Sequence, residues 1–156
     1  MSMDNLTELL GQAAEEVLEN MFFSGVLSEL AEEPGGDRLC ATVRFEGSSH
    51  GELRLSTSAS SAALLAAGFL GTEDENVPGA QAREVAGELA NVLCGVVLGR
   101  LNPQGNFVIS PPEVANMDGV GAVSAMQFQK RFEIMEGDLA VGLTVRDLSP
   151  DSPVTG

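Results

Sequence analysis

The chain has 156 residues, 44% of them apolar and 20% charged, which is enough apolar material for one packed domain and too little charge for intrinsic disorder. Its 23 acidic and 8 basic side chains leave a net charge of −15, which repels nucleic-acid backbones and anionic membrane surfaces, so neither is an expected partner. One histidine, two cysteines and no Trp or Tyr exclude a multi-histidine metal centre, a disulfide scaffold and a generous aromatic platform.

In chain order, a first helix is predicted from about Asp4 to Phe22, with Asp4 or Asn5 as its cap. Leu6, Leu9, Leu10, Ala13, Val17 and Met21 recur there at helical spacing. Residues 1 to 37 hold nine carboxylates and no Lys or Arg, so this helix presents an acidic outer face, with Met21, Phe22 and Phe23 expected in the core. Ser24 to Leu30 reads as a short strand or turn before the loop at Pro34-Gly35-Gly36. Arg38 to Phe45 alternates, with Leu39, Ala41, Val43 and Phe45 on one face. Glu52 to Thr57 alternates likewise, and Gly47 to Gly51 joins the two as a hairpin that exposes His50.

A small-residue helix is predicted from Thr57 or Ser58 to about Phe69, then an acidic loop from Gly71 to Gly79. The Glu73-Asp74-Glu75 cluster in that loop lacks the spaced oxygen ligands of a calcium site and reads as solvated. A long helix follows from about Ala80 to Leu101, stopped by Asn102-Pro103. The last third reads as strands at Asn106 to Ser110, about Ala122 to Met135 and about Leu139 to Leu148, with Gly137-Asp138 as a turn. Residues 150–156 form a tail to a single domain spanning 1–149. No apolar run reaches the roughly 20 residues that span a bilayer. Met1 to Glu8 lacks the charge pattern and apolar stretch of a secretory signal, so a cytoplasmic location is expected. Cys40 and Cys94 read as small core hydrophobes.

The long helix is the informative element. With Glu84 at zero and about 100° per residue, Glu88 falls near +40°, Asn91 near −20°, Gly95 near +20°, Gly99 near +60° and Gly87 near −60°. The remaining arc, from Val85 and Ala86 to Val96 and Val97, is apolar. Glycine inside a helix costs about 0.5–1 kcal/mol relative to alanine, so three along one side call for a reason. Either a neighbouring helix of the same chain packs there, or another molecule comes close.

Gly87-Glu88-Leu89-Ala90-Asn91 resembles the Glu-x-x-Asn signature of the CheC/CheX/FliY phosphatases of bacterial chemotaxis. Leu18-Glu19-Asn20-Met21-Phe22-Phe23 resembles the end of the first helix in CheX-type domains, and Pro111-Pro112 stands roughly where the family has a proline. With a single such motif, the chain is similar to CheX rather than to the two-motif CheC. The resemblance implies an α+β fold, with long helices packed on a mostly antiparallel sheet of about six strands. It implies hydrolysis of the aspartyl phosphate of a CheY-like response regulator, Asn91 orienting the attacking water and Glu88 pairing with the regulator's lysine.

Glu84, Gly87 and Gly95 are then expected to meet the partner, with the two glycines as thin flanks. The family often has Asp or Ser where Glu84 stands, and this larger carboxylate is placed to compete with Glu88. The chain is expected to need no metal or cofactor of its own, Mg²⁺ residing on the regulator, and to pair as a homodimer through its sheet. The alternative is a CheX-like binding module that engages a response regulator, or a flagellar or signalling partner, without hydrolysis.

Overall fold

The computed structural model describes residues 3–32, 35–72, 77–118, 123 and 126–146. They form α1 (Met3–Met21), β1 (Val26–Glu29), β2 (Asp37–Gly47), β3 (His50–Ser58), α2 (Ala59–Leu70), α3 (Gly79–Leu101), β4 (Phe107–Ile109), β5 (Glu113–Asp118), β6 (Phe128–Ile134) and β7 (Gly137–Arg146). All strand pairs are antiparallel. The order is β1-β6-β7-β3-β2-β4, and β5 also pairs with β2.

The sheet has seven strands where about six were expected, because one edge row is split. β4 lies along Phe45–Gly47 and β5 along Asp37–Thr42, so the two share β2 as their neighbour. Pro111 and Pro112 stand between them and cannot donate to the ladder, which breaks the row. The sequence pattern misses β5 because none of its described side chains is fully buried and so no alternation develops. Of the strand expected from Ala122 to Met135, Phe128–Ile134 is strand, while Ala122, Ser124 and Ala125 lie outside the described residues. Val123 and Met126, from the stretch before it, instead pack on Cys40 and Ala140 over part of the second face of the sheet. Glu73-Asp74-Glu75, Leu148 and the tail lie outside the described residues.

Alternation in β2, β3 and β7 sends Leu39, Ala41, Val43, Phe45, Leu53, Leu55, Leu139, Val141, Leu143 and Val145 to one face. There they form a single core with Leu6, Leu10 and Ala13 of α1 and Leu89, Leu93 and Val97 of α3. Each fully buried leucine contributes roughly 1.5–3 kcal/mol. α1 crosses β6 at Gly11, where an added Cβ would already touch Lys130 and Phe132 at 3.5–3.6 Å. Glu16 of α1 accepts from Arg100 in the last turn of α3, an ion pair that ties the two helices at the surface. α2 starts on Ser58, whose hydroxyl accepts from the Ser61 N–H at 3.0 Å, and ends on Gly71 in the left-handed conformation (φ 72°).

At the end of α1 the aromatic pair divides. Phe22 is buried and stacks on Phe69 with ring centroids 4.9 Å apart. Phe23, expected in the core with it, is exposed instead. The chain turns through the left-handed region there (φ 54°), which swings its side chain away from the sheet.

Candidate functional site

α3 is buried along one arc and bare along the other. Ala82, Val85, Ala86, Leu89, Ala90, Leu93, Cys94, Val97 and Leu98 are buried, whereas Glu84, Glu88, Gly95 and Gly99 are exposed and Asn91 is half-buried. Glu88 and Asn91 sit three residues apart and so share a helix face. Neither side chain forms a hydrogen bond or ion pair with any described residue. An amide and a carboxylate with their bonding capacity unspent, on a helix whose back is locked into the core, can serve a molecule that docks from outside.

The glycines separate into two kinds. A Cβ on Gly95 or Gly99 would meet no atom of the described residues within 4 Å, so no described helix packs on that part of the stripe. Gly87 differs: it is buried, and a Cβ there would lie 3.1 Å from Pro112 Cγ and 3.3 Å from a Val114 methyl. Its missing side chain admits the chain's own Pro112 and Val114, so it is not the open flank that was expected. Gly95 stands open next to Asn91.

Beside the stripe, Ala80, Arg83, Glu84, Gly87, Glu88, Pro112 and Val114 line a shallow depression of about 530 Å³. Arg83 builds its wall. The guanidinium donates to the Val114 carbonyl at 2.6 Å and to the Asn116 side-chain oxygen, tying β5 against α3. Sequence reasoning missed Arg83 and Val114. Arg83 carried no signal except as a rare cation in an acidic chain, and its role depends on β5, which has no alternation to reveal it. Glu84 is exposed one turn before Glu88, so the depression is flanked by two carboxylates.

Other features sort away from this ridge. A larger depression, about 750 Å³, opens at the β2–β3 hairpin end of the sheet, and its lining includes His50, Arg44, Arg54 and Arg146. Two of those arginines are already engaged, Arg44 with Glu113 at 3.0 Å and Arg54 with Glu52 at 2.6 Å. His50 is exposed at the first position of β3. Cys94 lies in the packed arc of α3, and burial pushes its thiol up to about 12, so it stays protonated and unreactive at neutral pH. Among the described residues no group of three His, Cys, Asp or Glu side chains converges to hold a metal ion, and no helix is long and apolar enough to cross a membrane.

An α+β domain with helices packed on an antiparallel sheet and a bare Glu-x-x-Asn ridge is the architecture these observations define. The sequence profile of the family described as chemotaxis phosphatase CheX matches residues 39–133, more than half of the chain, and the chain belongs to that family. Among solved structures it is similar to the chemotaxis protein CheX from Vibrio vulnificus, at 14% identity and a TM-score of 0.75, covering 94% of this chain and 99% of that one. It is similar to CheX from Desulfovibrio desulfuricans at 16% identity and a TM-score of 0.71, covering 91% and 99%. It is also similar to a chain in the CheX–CheY–BeF3–Mg²⁺ complex from Borrelia burgdorferi, at 16% identity and a TM-score of 0.61, covering 90% and 97%. No curated protein sequence matches the chain. At these identities the structural likeness establishes the shared fold.

Proposed function

We propose that the chain removes the phosphoryl group from the aspartate of a CheY-like response regulator, with Asn91 and Glu88 of α3 as the residues that enter the regulator's site. The observation that carries this reading is the bare ridge itself. Glu88 and Asn91 are the polar groups of an otherwise buried stretch, they have no partner among the described residues, and Gly95 beside them leaves room for another protein.

The Asn91 carboxamide holds a water in line with the phosphorus–oxygen bond to the regulator's aspartate. The water oxygen bonds to phosphorus, the bond to the carboxylate breaks, and inorganic phosphate and free aspartate result. An amide can do this at neutral pH without a shifted pKa, because the work is positioning rather than proton abstraction. Glu88 pairs with the regulator's lysine, a charge-assisted bond that fixes how far the ridge enters. The regulator supplies the Mg²⁺, a reading supported by the presence of Mg²⁺ in the Borrelia CheX–CheY–BeF3 complex. Glu84, exposed one turn before Glu88, places a second carboxylate that competes with it for the regulator's lysine.

The domain also pairs with a second copy through the β4–β5 edge. That edge exposes Val108 and Met117, and no further strand pairs with it among the described residues, an arrangement that favours strand-to-strand association.

The test is phosphate release from a phosphorylated CheY-like regulator of the same organism. The intact chain is expected to accelerate release, Asn91→Ala to abolish most of the acceleration, and Glu88→Ala to weaken binding as well. Binding without acceleration by the intact chain would favour a non-catalytic module. Acceleration unchanged by Asn91→Ala would remove the assignment.

A further inference from the structure

We propose that the corner formed by the ends of α1 and α2 and the β6–β7 turn docks a basic, amphipathic segment of another protein, with Phe23 as the apolar anchor. The proposal does not depend on the phosphatase reading. Six large apolar side chains are exposed among the described residues, and four of them belong to this corner: Phe23 (74% exposed), Met135 (66%), Leu27 (61%) and Leu70 (46%).

Backbone and ring contacts join the segments that carry them. The Met135 N–H donates to the Gly25 carbonyl at 3.1 Å, Val26 pairs with Ile134, and Phe22 stacks on Phe69 next to Leu70. Phe23 is also strained. The Ser24 N–H returns to the Leu18 carbonyl at 3.0 Å, which closes the helix over a residue at φ 54°. Glycine is the usual occupant of that position, because a side chain there crowds its own backbone. A bulky aromatic in that conformation with its ring in solvent stabilises nothing in the fold, and strain without local return is the mark of a residue kept for contact.

Charge decides the partner. Glu19 lies one turn upstream of Phe23, Glu133 receives the Ser28 hydroxyl at 3.0 Å, and Glu136 receives the Ser24 hydroxyl. None of the three has a basic partner among the described residues, and the nearby Lys130 is held by Glu29 at 3.1 Å. An acidic rim around an apolar centre fits a segment carrying Lys or Arg around one or two apolar side chains. A second copy would bring the same carboxylates face to face on a chain of net charge −15.

The test titrates the intact chain with a fluorescein-labelled amphipathic Leu/Lys helical peptide and with a Ser/Lys peptide of equal charge. The Leu/Lys peptide is expected to bind measurably tighter than its Ser/Lys counterpart. Phe23→Gly and Phe23→Asn should each weaken the Leu/Lys complex at least about tenfold. Both should also raise the melting temperature of the free protein, since these residues tolerate the left-handed conformation. Equal affinity for the two peptides, unchanged affinity in both variants, or a lowered melting temperature in both would overturn the proposal. So would a concentration-dependent dimer in sedimentation that Phe23→Gly dissolves, which would make the occupant a second copy.

Discussion

The two sides of α3 carry the same helical backbone and opposite obligations. On the packed side Leu89, Leu93 and Val97 are closed into the core against the sheet. On the bare side Glu84, Glu88, Asn91, Gly95 and Gly99 are answered by almost nothing. The packed side therefore holds the ridge rigid, and the bare side leaves its chemistry unspent. In the proposed function, a chain poor in catalytic residue types contributes by supplying a fixed amide and carboxylate to a site whose remaining parts belong to the partner.

Substitutions on the two sides should separate stability from function. Leu93→Ala should have the largest effect on stability, lowering it by about 2–5 kcal/mol in urea unfolding, because the cavity lies where helix and sheet cannot close up. Asn91→Ala should cost less than about 1 kcal/mol of stability, yet lower the rate of phosphate release from a phosphorylated regulator by about 10²-fold. Equal losses of stability in the two variants would erase the distinction between the sides.

Cys94 tests the packed side by pH. Its folded-state thiol is pushed up to about 12 from an ordinary 9.0, so the folded chain keeps a proton that the unfolded chain loses first. That contribution is fully present below pH 9 and is lost as pH rises toward 12, with a slope of at most about 1.4 kcal/mol per pH unit. Unfolding measured from pH 8 to 11 should show the decline, and Cys94→Ala should flatten it.

The glycines give the smallest and most pointed contrast. Gly95→Ala adds a methyl to open space and should stabilise the chain by about 0.5–1 kcal/mol. Gly87→Ala drives a methyl toward Pro112 and Val114, which Arg83 holds against the helix, and should destabilise it by about 1 kcal/mol. Opposite signs in denaturant midpoints are the expected result.

Much of the fold was legible because the strongest periodicities belong to buried elements. Leu39 to Phe45 and Leu139 to Val145 alternate because one face is core, and α3 reads as a helix because its apolar arc is wide. The Glu88 and Asn91 ridge was legible for the opposite reason, since polar groups interrupt that arc at one angle. What failed was set by tertiary neighbours. β5 has no buried alternation, Gly87 is explained only by Pro112 and Val114 from a later segment, and Arg83 matters only once β5 lies beside it. Phe23 looked like core because apolar composition does not reveal that the helix ends in a left-handed turn.

The most direct measurement of the central claim is an amide and side-chain NMR footprint of the intact chain on adding a CheY-like regulator activated with beryllofluoride. The largest changes should fall on the Asn91 side-chain amide and on the backbone of residues 84–95, with the packed arc shielded from direct contact. A footprint confined to other elements, leaving the Asn91 amide unmoved while the two proteins bind, would contradict the account.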